Sequence, residues 1–328
     1  MLFDRVYRLL VGKKGESKGL EITELRIQFD IEKTAKKNPN KNSIKIYNLT
    51  KATREELEKP DTRCLLYAGY KDGDGALLLF SGAVTFAWSK YDLPEVVTEF
   101  ELGDGAPEIR DTTISVGYDK GIKSTQILND VSKQMGTPLT LPSDAPERVW
   151  ANGLSYYGSA RTLLDKVTKG TGLEWSIQNG NLQVIKSGMV TTRQGIVLSA
   201  DSGLIGSPER NRKAKEGTAD VKDTSKKKVK VSTLAQHHDG WSTKSLLMPT
   251  INPGDRVKLE SRSVNGVFRV QEVKHHGDSD AGGDWQTELK LVDPAIPLTD
   301  KSSKGGHSSR GGDISDDALA EAQDEGEY

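Results

Sequence analysis

The sequence predicts a mainly β protein that carries a small α+β insert. Three observations support this fold class. Short runs of alternating apolar and polar residues recur near both ends of the chain, and this period of two is typical of strands with one buried face. Glycine is frequent, with 33 residues, and it supplies the turns that short strands need. Two stretches with helical spacing of apolar residues both lie within residues 118–186.

Residues 1–117 are predicted to form the first β unit. Strands are expected at 3–11, 20–31, 41–50, 63–70, 77–88 and 96–102, with a hairpin turn at Asp72-Gly73-Asp74-Gly75. The alternation changes phase at Thr23-Glu24, which indicates either a bulge or a strand start. Thr53 to Glu56 matches a capping box at the start of a short helix. Pro60 would end that helix, because proline lacks the amide that a helix interior uses.

Residues 118–186 are predicted to form a small α+β unit. One helix buries Ile127, Leu128, Val131 and Met135 and ends at Gly136. A second helix begins at the N-cap Ser159 and buries Ala160, Leu163, Leu164 and Val167, and its turn ends at Gly170 or Gly172. Asn179-Gly180 predicts a tight hairpin between strands at 173–178 and 182–185.

Residues 187–297 are predicted to form a second β unit. Pro253-Gly254-Asp255 indicates a tight turn, and Asn265-Gly266 predicts a type I′ hairpin turn because both central residues need positive φ. In the closing strand, alternate residues face the core: Trp285, Thr287, Leu289 and Leu291. A sheet or small barrel covered on one side fits this pattern.

A charged insertion at about 210–240 interrupts the second β unit. Its basic residues outnumber its acids, and they are Arg210, Arg212, Lys213, Lys215, Lys222, Lys226, Lys227, Lys228 and Lys230. Such a composition predicts a solvated loop that does not order alone. The alternatives are an arm that orders against an acidic neighbour and a contact with nucleic acid. Arg210, Lys213, Lys226, Lys227 and Lys228 are the candidate interaction residues.

Residues 298–328 are predicted to form a flexible acidic tail. The segment begins as a Ser/Gly-rich linker and ends with seven acids and no base after Arg310. Asp316 and Asp317 are candidate interaction residues, since acids at this point could cap a short helix through Ala320 and Ala322. A docking peptide for another protein is the alternative to disorder.

Charge and cysteine content exclude several classes of protein. The 46 basic and 47 acidic residues give a net charge of −1, whereas a dedicated DNA-binding protein carries a strong basic excess. The single cysteine, Cys64, rules out an internal disulfide framework and fits a small buried apolar side chain in a reducing compartment. No run approaches 18 apolar residues, so no membrane span is expected. The N-terminal segment also lacks the pattern of a secretory signal.

The order of several segments resembles bacteriophage tail baseplate hub proteins, which are related to the late control protein D group. "LLMPTINPGD", "NGVFRVQEVKHHGD" and "GGDWQTELKLV" resemble the C-terminal barrel of that family. "IYNLTKATREEL" resembles the beginning of its first tube-like domain. "ILNDVSKQMG" and "YYGSARTLLDKVTKGTGLEWSIQNGNLQVI" resemble the domain between the two barrels. The resemblance covers most of residues 1–297.

This resemblance implies two tail-tube-like antiparallel β-barrel domains flanking a small α+β domain. It implies a structural virion protein, a homotrimer that presents six barrels and joins the sixfold tail tube to the threefold central spike. The implied partners are the tail tube protein, the central spike or tail tip protein, the tape measure protein and the baseplate wedge proteins. Genomic DNA would pass through the lumen without specific binding. The protein would be assembled in the host cytoplasm and would belong to the tail baseplate.

No catalytic, cofactor or metal site is predicted. The chain lacks a G-x-S-x-G elbow and a Walker loop. The histidines are expected in loops or at strand ends, and they are His237, His238, His275, His276 and His307. Two neighbouring histidines on a strand point to opposite faces and cannot share a metal. The alternatives to a hub are a tail-associated cell-wall hydrolase, for which Glu147 near Trp150 and Glu174 beside Trp175 are the best carboxyl candidates, and a hub or tube component of a related contractile injection system.

Overall fold

A computed structural model describes residues 4–13, 19–34, 40, 42–58, 62–103, 112–191, 193–213, 216–222, 228–234 and 238–294. Between 212 and 239, only the backbone of these residues is described. The predicted acidic tail, Pro60, His237 and His307 lie outside the described residues. Most of the described chain is in strands, and nearly all strand pairs are antiparallel. The prediction of a mainly β protein is therefore confirmed.

The first part of the chain contains seven strands and one short helix. They are β1 (Arg5–Lys13), β2 (Gly19–Ile22), β3 (Ile27–Thr34), β4 (Asn42–Tyr47), α1 (Lys51–Leu57), β5 (Thr62–Tyr70), β6 (Gly75–Asp92) and β7 (Glu95–Gly103). The change of phase at Thr23-Glu24 marks the start of a new strand, because β2 ends at Ile22 and β3 begins at Ile27.

The predicted cap of the short helix is wrong. The helix begins earlier than the capping box at Thr53 indicated, and its N-cap is Thr50, whose hydroxyl accepts a hydrogen bond from the Thr53 amide at 3.2 Å. Leu57 at the last turn packs in the core, where it is 2% exposed. Thr50 and Thr53 both carry a hydroxyl that can cap a helix, and the structure uses the earlier one.

The middle part of the chain contains both longer helices. Its elements are β8 (Thr113–Tyr118), β9 (Ile122–Lys123), α2 (Ser124–Met135), β10 (Leu139–Thr140), β11 (Val149–Trp150), β12 (Leu154–Ser159), α3 (Ala160–Thr168), β13 (Leu173–Gln178) and β14 (Asn181–Lys186). The predicted caps are confirmed: Gly136 ends α2 at φ +65°, and the Ser159 hydroxyl accepts from the Thr162 amide. The buried helix faces pack together with the inner faces of β13 and β14 in one core.

The last part contains β15 (Ile196–Leu198), β16 (Leu204–Lys213), β17 (Glu216–Lys222), β18 (Lys228–Leu234), β19 (His238–Leu246), β20 (Arg256–Glu260), β21 (Asn265–Asp278) and β22 (Trp285–Val292). The predicted type I′ turn at Asn265-Gly266 is wrong. These residues already belong to β21, opposite Glu260 and Leu259. The chain instead reverses at 261–264, where the Ser261 side chain accepts from and donates to the backbone of Val264. This serine satisfies the loop amide and carbonyl, so a two-residue turn is not needed.

Both ends of the chain contribute to one 13-stranded sheet. Its main path runs β16-β19-β22-β21-β3-β4-β7-β6-β5-β1-β2, and β20 and β15 join it beside β21. The two halves meet where β3 pairs antiparallel with residues 272–278 of β21. The N-terminal core accordingly includes Trp285 and Leu247 from the C-terminal half. A smaller separate core lies under β20, β21 and β22.

Candidate functional site

The charged insertion forms an antiparallel hairpin, so the expectation of a loop is wrong. β17 pairs with β18 over seven residues, with Val221 opposite Val229 and Ala219 opposite Val231. The segment from Lys228 to Val231 alternates lysine and valine, a period-two signal that the count of charges concealed. The ladder of backbone hydrogen bonds provides the order that the composition does not.

The candidate interaction residues do not form one cluster in the described chain. Arg210 lies exposed on β16 and Lys213 ends the same strand. Lys228 is the first residue of β18. Lys226, Lys227, Asp316 and Asp317 lie outside the described residues. The residues whose placement is described therefore point to β16 as a strand of interest.

β16 is an edge strand of the large sheet. It pairs with β19 along one edge, and within the described ranges no strand pairs with its other edge. A bulge between Ile205 and Glu209 interrupts the pairing, and Gly206 in it has φ +70°. Pro208 lies in the same bulge, so its lack of a backbone N–H removes no hydrogen bond from the pairing with β19. Beyond the bulge, residues 209–213 resume regular pairing with β19 and leave a row of backbone groups facing outward.

The end of the β6–β7 hairpin carries the second exposed edge. β5 pairs with β6 only as far as Ala83, so that the far half of β6 pairs with β7 alone in the described structure. Large apolar side chains are exposed here: Phe86 is 58%, Tyr91 68% and Leu93 86% exposed. Exposed apolar groups gathered on one element mark contact surfaces. The sequence analysis missed this surface, although apolar residues continue on both faces of the strand past Ala83.

Charged side chains of alternating sign cross the sheet where its two halves meet. The strand registers place Lys244, Glu288, Lys274 and Glu32 in one row over four strands. Lys244 Nζ lies 2.7 Å from Glu288 Oε1, and this hydrogen bond lowers the pKa of Glu288. Lys274 Nζ lies 3.7 Å from Glu32 Oε2. Each half-exposed pair adds little stability, but the alternation favours this register over a shifted one.

A buried polar cluster lies behind the same junction. Lys33 on β3 is fully buried, and its Nζ donates to Asn252 Oδ1 at 3.0 Å. Asp255, also buried, accepts from Thr191 Oγ1 at 2.6 Å and lies 2.9 Å from Arg193 Nε. Burial nevertheless raises the pKa of Asp255. These side chains tie β3 to the turn before β20, because each buried polar group needs its partner.

Two glutamines connect the middle part of the chain to the large sheet. Gln178 Nε2 donates to the carbonyl of Thr34 at 2.9 Å, and Gln183 Nε2 donates to the carbonyl of Pro253 at 3.2 Å. Both glutamines lie on the β13–β14 hairpin and are buried. The hairpin at Asn179-Gly180, which the sequence predicted correctly, therefore contacts both halves of the sheet.

His238 begins β19 and so lies at a strand end as predicted, whereas two other histidines differ from their predicted placement. His275 and His276 lie inside β21 and not in a loop or at a strand end. His275 is fully buried, and its Nδ1 shares a hydrogen bond with Thr287 Oγ1 at 2.9 Å. His276 points to the other face and bonds Asp30. The two rings therefore have opposite environments. Burial, together with the charges of Lys33 and His276, lowers the pKa of His275 well below its usual value, whereas the hydrogen bond with Asp30 raises the pKa of His276.

These opposite shifts predict opposite effects of acid on stability. His275 is neutral in the fold, so its contribution is full above the ordinary pKa of about 6.5 and falls as pH drops below it. His276 stabilises the fold below that pKa, and its contribution is lost as pH rises through its raised folded value. His275→Asn should flatten the loss of stability between pH 7 and 5, and His276→Gln should steepen it, each by at most about 1.4 kcal/mol per pH unit. Urea unfolding at several pH values measures these slopes, and equal slopes in both variants would contradict the assignment.

The carboxyl groups considered for a hydrolase occupy structural positions. Glu147 bonds Lys123 and Thr125, and these hydrogen bonds lower its pKa, whereas a general acid needs a raised one. Glu174 accepts from Ser187 Oγ at 2.9 Å, and the neighbouring Trp175 packs in the core with its Nε1 bonded to Asp165. Both glutamates are thus used in local hydrogen bonds.

Cys64 is buried at 2% exposure, as expected, and burial raises its pKa to about 12. Among the described residues, no three or more His, Cys, Asp or Glu side chains are grouped so that they could hold a metal ion. None of the helices in this described part of the chain has the length and apolar character of a membrane span.

A broad groove of about 750 Å³ lies beside β1 and the start of β3. Its lining includes Arg5 and Arg26. Arg26 Nη2 lies 2.8 Å from Asp278 Oδ2, and Arg5 donates to the carbonyls of Asp278 and Asp280. Burial acts to raise the pKa of Asp278, but hydrogen bonds from Arg26 and Gln28 lower it to about 2. Both guanidinium groups are therefore engaged within the chain.

Comparisons with known proteins give one matching family model and several solved structures with a similar fold. A family model described as "Baseplate hub gp41" matches residues 10–216. None of the curated protein sequences compared with the chain matches it. Solved structures match over most of the chain at low identity, and such likeness concerns the fold alone.

Three of these structures illustrate the range. The 43 kDa tail protein of prophage MuSo2 from Shewanella oneidensis has a TM-score of 0.60 at 12% identity, covering 89% of this chain and 99% of its own. The tail protein from Neisseria meningitidis MC58 has a TM-score of 0.59 at 13% identity, covering 90% and 98%. The E. coli c3393 protein, a component of the type VI secretion system, has a TM-score of 0.51 at 11% identity, covering 88% and 76%.

Proposed function

The chain belongs to the baseplate hub gp41 family, and from this membership we propose that it forms the trimeric hub at the centre of a phage tail baseplate. The match to the family model over residues 10–216 is the observation that carries the proposal. The family places the protein in the virion tail in a structural role. The proposal adds that three copies join the sixfold tail tube to the threefold central spike.

The arrangement of the strands supports a ring. Residues of both chain ends form one continuous sheet, and β16 and the far half of β6 offer unpaired edges in the described chain. A subunit with two different open edges associates head to tail, and such contacts close into a ring when the rotation permits. We extend the proposal to the division of the chain into tube-like β-barrel domains at 1–117 and 187–297, which flank the α+β domain at 118–186.

The proposed partners follow from a hub's position. They are the tail tube protein on one side, the spike or tail tip protein on the other, the tape measure protein inside and the wedge proteins outside. Genomic DNA would pass through the lumen during ejection without specific contacts, in keeping with the net charge of −1. Assembly would take place in the host cytoplasm.

Two measurements test this function. Light scattering of the purified full chain should give three times the mass of one chain, because the proposed hub is a trimer. Images of tails that contain the tagged chain should place three copies between the sixfold tube and the spike. A hexameric ring in solution, or density for the chain along the length of the tube, would show a tube protein instead.

A hub of a contractile injection system is the second candidate. The observation that favours it is the match to the type VI secretion component, which covers 88% of this chain at a TM-score of 0.51. That structure is described as similar to the T4 bacteriophage tail proteins gp27 and gp5. Purified particles distinguish the two candidates, since a phage tail is joined to a DNA-filled capsid and an injection system is not.

A further inference from the structure

Two sets of five strands in the chain have the same connectivity. In the first half the strands lie side by side in the order β3-β4-β7-β6-β5. In the second half the order is β16-β19-β22-β21-β20. When the five strands of each set are numbered in sequence order, both rows read 1-2-5-4-3. The hairpin β17–β18 is an insertion into the second set.

The registers of the two sets also agree. A bulge interrupts β6 between Val84 and Phe86, and β21 has the same irregularity between Val270 and Glu272. Counting from these bulges makes Phe86 the equivalent of Glu272. The closing strands then align as Thr-Glu-Phe-Glu-Leu at 98–102 and Thr-Glu-Leu-Lys-Leu at 287–291. The two sets are therefore structural repeats.

Charged pairs confirm the alignment. Glu99 lies opposite Lys45 with 3.6 Å between their charged atoms, and the equivalent Glu288 lies opposite Lys244 at 2.7 Å. This fixes the equivalence of the first strands as well, because Gln28 pairs with Lys45 and Ile205 pairs with Lys244.

The contact between the two repeats uses one particular edge. β20 pairs with β21 only up to Arg269, and β3 occupies the edge that remains, at residues 272–278. The equivalent edge of the first repeat is the far half of β6 from Phe86 onward, which pairs with β7 alone in the described structure. The equivalent of β3 in the second repeat is β16, whose outer edge has no partner in the described chain. Each copy therefore has one open edge equivalent to β3 and one open edge equivalent to residues 272–278 of β21. These are the two edges that already pair with each other inside the copy.

We propose that β16 of one copy pairs antiparallel with the far half of β6 in the next copy, so that the contact between copies repeats the β3–β21 contact within each copy. The pairing would join residues 209–213 to residues 86–90. The inference rests on the proposed function in that it requires several copies in one ring. Under this proposal, each of the two open edges pairs with another copy of this chain.

Charge at the new contact is complementary. Within the chain, Asp30 of β3 pairs with His276 of β21, and the two side chains are hydrogen-bonded. Asp30 lies opposite Ser43 and Glu209 lies opposite Ser242, so Glu209 is the equivalent of Asp30. Lys90 is the equivalent of His276 by the count from the bulges. Lys90 and Glu209 are both exposed in one copy, and the proposed register brings these opposite charges face to face.

The same register accounts for the exposed aromatic and basic side chains on β16 and at the end of β6. The exposed Phe86 and Tyr91 would lie along the contact between copies, where their apolar area is covered. Arg210 and Lys213, candidates from the sequence, lie within the paired segment. Backbone pairing supplies the attachment and the side chains supply the register, as in other cases of strand addition.

Disulfide cross-linking of the full chain tests the register. Lys90→Cys and Glu209→Cys are introduced together, and Cys64 is kept because it is buried. Directly opposed residues on paired strands have Cα separations that a disulfide spans. Mild oxidation should link copies into covalent trimers, while either single variant should remain uncross-linked, because each contact needs one cysteine of each kind. The matched control pairs Glu209→Cys with Tyr91→Cys, which is exposed but points to the opposite face, and it should give on the order of tenfold less trimer.

Charge exchange provides a second measurement. Lys90→Glu and Glu209→Lys should each weaken association by about fivefold per contact, and the double variant should restore it. Particles that are trimeric but show no preferred 90–209 cross-link overturn the inferred contact and leave the hub function intact. A chain that stays monomeric at high concentration and is never cross-linked also overturns the contact, and imaging of tails then decides the function separately.

Discussion

Replacing Phe29 with alanine is expected to lower the free energy of unfolding by about 3–5 kcal/mol. Phe29 is 2% exposed on β3, and its ring meets Trp285 edge to face with centroids 5.3 Å apart. The ring also covers Gly277 on the paired strand so closely that a Cβ there would lie 2.1 Å from it. The substitution would therefore remove packing at the contact between the two halves of the sheet.

Urea or guanidinium unfolding of the full chain measures the change at Phe29. Phe86→Ala is the matched control, since Phe86 is 58% exposed in one copy, and at concentrations where the chain is monomeric its replacement should change stability by less than about 0.5 kcal/mol. A loss at Phe29 no larger than that at Phe86 would show that the ring does not hold the two halves together.

Replacing Lys33 with alanine is expected to cost about 3–5 kcal/mol, because it removes one member of a buried polar cluster and leaves a cavity. Lys33 is fully buried and donates to Asn252 Oδ1. Lys33→Met preserves most of the volume and should cost only about 1–3 kcal/mol, the penalty of leaving the amide oxygen without its donor.

A lysine on the surface of the same sheet is the control for Lys33. Lys45 is paired with Glu99 and its side chain is 41% exposed, so Lys45→Ala should cost less than about 1 kcal/mol. The four proteins are compared by chemical unfolding at one pH. If Lys33→Ala and Lys45→Ala behave alike, the buried cluster does not fix the position of β3.

The sequence predicted the local elements well where a single physical signal determines them. The two longer helices, their caps at Ser159 and Gly136, and the hairpin at Asn179-Gly180 follow from residues close together in the chain. The helix cap predicted at Thr53 was misplaced because Thr50 offers an equivalent hydroxyl three residues earlier. The turn predicted at 265–266 was misplaced because the chain reverses at 261–264, where the Ser261 side chain bonds the loop backbone.

The contact between β3 and β21 could not be predicted from the sequence. Alternation shows which residues of a strand face a core, but it does not show which strand lies beside it. The bond between Asp30 and His276 joins residues that are 246 positions apart. The interaction surfaces were partly predicted: Arg210 and Lys213 lie on an open edge, but the exposed aromatic groups of β6 and the repeated strand order were missed. The repeat was visible only as Thr-Glu-x-x-Leu at 98–102 and 287–291, which is too short to stand out.

The pairing of β3 with β21 has a consequence during synthesis on the ribosome. β3 emerges early, yet the strand that covers it is completed only when residue 278 has been made. At ordinary rates of translation this interval is on the order of tens of seconds. During that time β3 lacks this partner and is open to contact with neighbouring nascent chains. Long-range strand pairing of this kind also forms slowly after the chain is released. Yield in cells should therefore depend on chaperone supply and on temperature more strongly than the stability of the finished protein would suggest.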